Sequence, residues 1–263
     1  MIKFFRHIRQ NLLMENKTGK YFKYAIGEII LVVLGILIAL QINNWNETQK
    51  GNKLAKNYAI GLVRDLSLDT SQLNNYIKFH ERTISGLNAL IRHKDKDLNN
   101  TSVNDSVYKL FRLNCLNIAE FESNQNTLTQ IKNTGDLVLF DEQIRDSIIV
   151  NELSYNSVLS QGRFYKNAYD DNMELSKKVF DYTVFIDTTY FILKNNTRLY
   201  TGKQFPKANY DHGLKQLLFN EITILKGVSE LYLAGELKPH LKNTERIINF
   251  LSKTYDLKSE SQY

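Results

Sequence analysis

The sequence predicts a mostly α protein: one N-terminal transmembrane helix followed by an elongated helical bundle. Three observations carry that expectation. The 263 residues include only two Pro and 12 Gly, too little punctuation for a sandwich of short strands, which would need a turn about every 8 to 12 residues. Ile29 to Leu40 is an unbroken apolar run. Beyond it, apolar residues recur at spacings of three and four, the period of an α-helix. An apolar content of 43% is ordinary for a globular chain, and the single Cys excludes a disulfide scaffold or a Cys-rich zinc module.

The formal charge of +6 comes from 34 Lys and Arg against 28 Asp and Glu. It is concentrated at one end: residues 1–23 carry Lys3, Arg6, Arg9, Lys17, Lys20 and Lys23 against Glu15. The rest of the chain is close to neutral. It therefore lacks the basic surface that phosphate neutralisation demands, and no nucleic-acid partner is expected. Directly after the basic stretch, Tyr24 to Ile42 would span about 28 Å as a helix, close to the hydrocarbon thickness of a bilayer. Lys20, Lys23, Tyr24 and Trp45 stand where membrane-interface anchors are needed. A buried core helix and a cleaved signal peptide are the alternatives. The long basic region, and the lack of a small-x-small site around Ala39, argue against cleavage. The charge asymmetry places the N-terminus in the cytoplasm and the body across the membrane, which in a bacterium is the periplasm. The expected organisation is a basic cytoplasmic segment (1–23), a transmembrane helix (24–44), a periplasmic helical bundle (45–256) and a flexible tail (257–263).

Glu28 is the charged residue inside the span. At about 100° per residue, Val32, Gly35 and Ala39 fall within about 40° of its bearing. One face therefore joins an acid to a small-x-x-x-small pattern, which permits close approach of a second transmembrane helix, from itself or another subunit. The alternative is a carboxylate that reaches headgroup water or is protonated.

The stretch MIKFFRHIRQNLLMENKTGKYFKYAIGEIILVVLGILIALQINNWNE, Met1 to Glu47, resembles the N-terminal signature of uncharacterised single-pass membrane proteins of Bacteroidota, a family catalogued as a domain of unknown function. Thr127 to Ile149, TLTQIKNTGDLVLFDEQIRDSII, is similar to the family's second recurring stretch, although Leu128 stands where an aromatic residue often follows Thr. The resemblance implies a bacterial inner-membrane location. It supplies no activity, ligand or catalytic residue.

Within the body, Leu54, Tyr58, Leu62, Leu66, Asp69, Leu73, Ile77, His80, Ile84, Leu87 and Ile91 form one helical seam. No Pro interrupts residues 45–92, so this helix is expected to continue from the span and couple it mechanically to the body. A polar loop, His93 to Asn104, should end it. Asp105 is expected to cap a second helix carrying Val107, Leu110, Phe111, Leu113, Leu116 and Ile118. A third runs from about Ser123 to Thr134 and stops at Gly135. Asp141 then caps a long fourth toward Tyr182. Residues 184–202, rich in β-branched and aromatic residues around Asn195-Asn196, suggest a small β-hairpin, with a loop through Pro206. Two last helices are expected, at about 211–233, ending near Gly235, and 237–256, with Pro239 near the first turn.

No motif identifies chemistry. The five His, at 7, 80, 93, 212 and 240, lack metal-ligand spacing, and no phosphate loop, dinucleotide fingerprint or nucleophile elbow occurs. Ser106-Val107-Tyr108-Lys109 matches a serine-acylase tetrad only by chance. Cys115 sits among Leu113, Leu116 and Ile118 and reads as a small buried hydrophobe; Tyr155, Phe164, Tyr165 and Tyr169 read as core. No catalytic, cofactor-binding or metal residue is assigned. Asp69 and His80 are the candidate polar core positions, His80 as a core histidine satisfied by a hydrogen bond, and such a pair would also suit a ligand pocket. The expected function is a membrane-anchored, non-enzymatic interaction or scaffold protein of the cell envelope. The alternative is a periplasmic sensory or ligand-binding module signalling through a partner membrane protein.

Overall fold

The computed structural model describes residues 18–181, 191–194, 197–200, 208 and 211–257. Helix α1 comprises Thr18–Ile91, and the chain divides into two compact units, Met1–Asn57 and Tyr58–Tyr263. In the first unit α1 is apolar on every side from Ile29 to Leu40. Ile29, Leu31, Val32, Val33, Leu34, Ile36, Leu37, Ile38 and Leu40 are all exposed, and the helix is long and apolar enough to cross a membrane.

The second unit is a helical bundle. Its order after α1 is α2 (Thr101–Asn114), α3 (Asn126–Thr134), a 3₁₀ turn (Asp136–Leu139), α4 (Glu142–Val179), the antiparallel strands β1 (Phe191–Lys194) and β2 (Thr197–Tyr200), α5 (His212–Tyr232), a π segment (Leu233–Leu237) and α6 (Lys238–Thr254). Helix α4 packs against both α5 and α6. The α1 seam supplies Leu73 and Leu87 to the core, and Leu90 beside it joins them, none exposed, each worth about 1.5–3 kcal/mol of burial. At the start of this face, Leu54 stays exposed.

Local chemistry sets most boundaries. Asn100, not Asp105, caps α2: its Oδ1 accepts from the N–H of Ser102 (3.0 Å) and Val103 (3.3 Å). The helix therefore starts earlier than expected. It also ends at Asn114, so Leu116 and Ile118 lie in the irregular segment that follows. Gly135 closes α3 at φ 74°, a left-handed conformation that other residues adopt at a cost. Asp141 caps α4 through the N–H of Ile144 at 2.9 Å, with Glu142 in the first turn and Lys177 and Lys178 in the last complementing the helix dipole. The helix stops at Val179, short of Tyr182. Phe164, expected inside, faces outward at 60% exposure, as does Leu153 at 62%.

The hairpin register pairs Phe191 with Tyr200 and Lys194 with Thr197; Asn195, Asn196 and the loop at Pro206 lie outside the described residues. Gly235 does not end α5. The backbone around it stays right-handed helical, and the N–H of Lys238 bonds to the carbonyl of Leu233. A Pro in a helix lacks the donor for its i−4 carbonyl and clashes with it. At Pro239 that carbonyl belongs to Gly235, and the wider π turn accommodates the misfit.

Candidate functional site

Two polar features of α1 meet the rest of the bundle. The first is a pair of carboxylates one turn apart, Asp65 and Asp69, each 2% exposed. Helix α3 has no side-chain cap of its own. Asp65 supplies one from another helix, accepting from the Thr127 N–H (3.0 Å) and hydroxyl (2.6 Å). Asp69 accepts from the Ser123 hydroxyl and from the Asn124 N–H at 2.8 Å. Burial holds the Asp69 carboxyl above the usual range despite those donors. The pair clamps Ser123–Thr127 and is structural. Asp65 lay off the apolar seam, and its signal in the sequence was only its i−4 relation to Asp69.

The second feature is an aromatic cage around His80, which is fully buried. The rings of Tyr165, Tyr76, Tyr232 and Phe79 lie 4.6, 4.7, 5.3 and 5.5 Å from it, centroid to centroid. Neither ring nitrogen has a hydrogen-bond partner among the described residues, so the expected satisfied core histidine is corrected to an unsatisfied one. Desolvation pushes its pKa down to about 4. Nor does the structure pair His80 with Asp69: the carboxylate serves Ser123 and Asn124, and the imidazole packs among the rings of Tyr76, Phe79, Tyr165 and Tyr232.

Three of the caging tyrosines also line a cavity of about 180 Å³, formed by α1, the segment after α2, α4 and α5. Phe121, Val158 and Leu159 complete its apolar wall, and Glu120, Arg163 and Lys166 stand at it from two elements. A Cβ in place of Gly162 would lie 3.0 Å from the Tyr232 hydroxyl and crowd it. The rings of Tyr232 and Tyr76 meet edge to face, 6.3 Å between centroids. Burial raises all three tyrosines, Tyr76 to about 12, so they remain protonated donors. A wider groove of about 530 Å³ between α4 and α6 is lined by Gln143, Asp146, Val150, Arg246 and Phe250 among others. It lacks this convergence of rings and hydroxyls. Single-residue reasoning could not find the cavity, since it missed Tyr76, Phe121 and Tyr232, which come from three separate parts of the chain.

Cys115 is buried, its thiol pushed above the ordinary range by desolvation. His240 is buried beside Ser154, whose hydroxyl lies 3.2 Å from Nδ1, and its pKa falls to about 4. Among the described residues no three His, Cys, Asp or Glu are grouped to hold a metal ion. In the first unit, Val32 and Ala39 are exposed and Glu28 half-buried. Nothing lies within 4 Å of where a Cβ at Gly35 would stand. Lys23 and Trp45 are exposed, while the side chains of Lys20 and Tyr24 lie outside the described residues.

These features define a helical-bundle protein with an N-terminal apolar helix long enough for a bilayer. The chain belongs to a family described as "Family of unknown function (DUF6090)", whose model matches residues 28–203. The match takes in Thr127 to Ile149 and the whole apolar run, Ile29 to Leu40; Met1 to Gly27 precede it. No curated protein and no solved structure matches the chain.

Proposed function

We propose that the protein is a membrane-anchored, non-enzymatic interaction protein of the bacterial cell envelope, with its N-terminus in the cytoplasm and its bundle in the periplasm of a Bacteroidota-type inner membrane. One observation carries this reading: a helix that is apolar and exposed at every bearing from Ile29 to Leu40. Such a surface is stable only in an apolar surrounding. The basic excess of residues 1–23 supports the orientation. Recognition rather than chemistry is supported by the state of the bundle's buried polar groups. Asp65 and Asp69 hold a neighbouring segment, His80 and His240 are neutral, and the Cys115 thiol is shielded. The bilayer and a second transmembrane helix on the face of Glu28, Val32, Gly35 and Ala39 are the proposed partners.

Reporter fusions placed after Ile60 test the orientation. Alkaline phosphatase should be active and a cytoplasm-dependent fluorescent protein dark; the reverse pattern overturns it. A second reading, a ligand-binding module that signals through a partner, is favoured by the tyrosine-lined cavity.

A further inference from the structure

We infer that the cavity bounded by Tyr76, Phe121, Tyr165 and Tyr232 binds a small zwitterionic aromatic molecule, of which a free aromatic α-amino acid is the simplest; this rests on the ligand-binding reading above. Size, wall chemistry and charge each constrain the ligand. The cavity measures about 180 Å³, and about 150 Å³ of apolar cavity suffices for one benzene ring. One monocyclic ring therefore fills it, leaving any head group at the mouth.

Four aromatic side chains of the wall come from α1, the segment after α2, α4 and α5, so a ring entering between them meets π faces and edges on several sides. The Tyr232 hydroxyl stands beside Gly162, and Tyr76 and Tyr232 both line the cavity. Glycine at 162 keeps this wall concave, since any larger residue would press on that hydroxyl.

The head group follows from the charges at the cavity. Arg163 and Glu120 are both exposed and belong to different elements, α4 and the segment after α2. Lys166 is already 3.1 Å from Asp170, so Arg163 supplies the cation for a carboxylate and Glu120 the anion for an ammonium. A simple anion would leave Glu120 unmatched and a simple cation would leave Arg163 unmatched. A ligand bearing both charges matches both.

Full-length protein in detergent micelles is titrated calorimetrically with L-phenylalanine, 3-phenylpropionate, phenethylamine and L-cyclohexylalanine. L-Phenylalanine should bind saturably with Kd of about 1 mM or below, and each of the other three about fivefold or more weakly. Arg163→Gln and Glu120→Gln, both at exposed positions, should each weaken L-phenylalanine about tenfold. Arg163→Gln should leave phenethylamine unchanged, and Glu120→Gln should leave 3-phenylpropionate unchanged. Gly162→Leu should abolish binding, with helicity by circular dichroism retained. Equal binding of phenethylamine or 3-phenylpropionate, lost in Gly162→Leu, overturns the zwitterionic class while the ligand-binding reading stands. Saturable binding by none of the four overturns both. Binding undiminished in Gly162→Leu and in the two charge variants overturns the site.

Discussion

His80 carries two ring nitrogens into a cage of aromatic rings that offers neither of them a partner. The neutral ring tolerates this at a cost of about 1–3 kcal/mol; the charged ring does not. The folded pKa of about 4 lies below the ordinary 6.5, so the unfolded chain takes up a proton that the fold refuses as pH falls from 6.5. Stability is thus flat above about pH 7, falls between pH 6.5 and 4, and levels off below. His240 behaves alike. Each histidine accounts for about 2 kcal/mol of loss between pH 7 and 5. Chemical denaturation of His80→Phe should show roughly that much less pH dependence, with no loss of stability at pH 7. An unchanged pH profile would reject the unsatisfied cage. Asp65→Ala should cost about 1–3 kcal/mol, since it strips the Thr127 N–H of its acceptor. Asp65→Asn, which keeps one oxygen acceptor, should cost less. Equal melting of the two variants would remove the cross-helix cap.

Helices in this chain end for reasons of two kinds. Where the capping group is local, as at Asn100, Asp141 and Gly135, the boundary is written in the adjacent residues. Where it comes from elsewhere, as for α3, the neighbouring sequence is silent. The proposed partner of the apolar helix is a second transmembrane helix on its Glu28 face. On that face the small residues and Glu28 share one bearing, so close approach and a polar contact would support each other. Gly35→Ile and Glu28→Leu should each weaken association of the span in a bilayer by about 1 kcal/mol or more, Glu28→Gln by less, and Val33→Leu, on the opposite face, hardly at all. Förster transfer between labelled spans in vesicles measures this for self-association, and co-purification yield measures it for another subunit. Equal association across all four variants would return Glu28 to a carboxylate that only reaches for headgroup water.

At the scale of the molecule, the second compact unit has its own core, from Leu73 in α1 to Leu237 in the π segment. A fragment from Asn52 to Tyr263 should therefore be soluble, strongly helical by circular dichroism and cooperative in melting. Within it, Cys115, fully buried, should react with thiol reagents only after denaturation. A mainly β or unfolded spectrum would defeat the bundle as an independent unit, and rapid labelling of the native fragment would defeat the burial of Cys115.

The apolar run, the α1 seam, the Asp141 cap, the Gly135 stop and the paired strands Phe191–Lys194 and Thr197–Tyr200 were legible in the residues themselves. Each depends on local physics: helical period, a cap three residues away, or a run of β-branched and aromatic residues. The candidate site was legible only in part. His80 stood out because a polar residue on an apolar seam violates the pattern, yet its unsatisfied state depends on Tyr165 and Tyr232, which are far from it in sequence. Phe164 looked like core by composition and lies outside, because neighbouring tyrosines on a helix point in different directions and only packing chooses which faces turn inward. Period and local hydrogen bonding thus determined the elements. The tertiary structure alone decided which polar groups were matched and where a space was left open, because burial and long-range partners are properties of the packed chain.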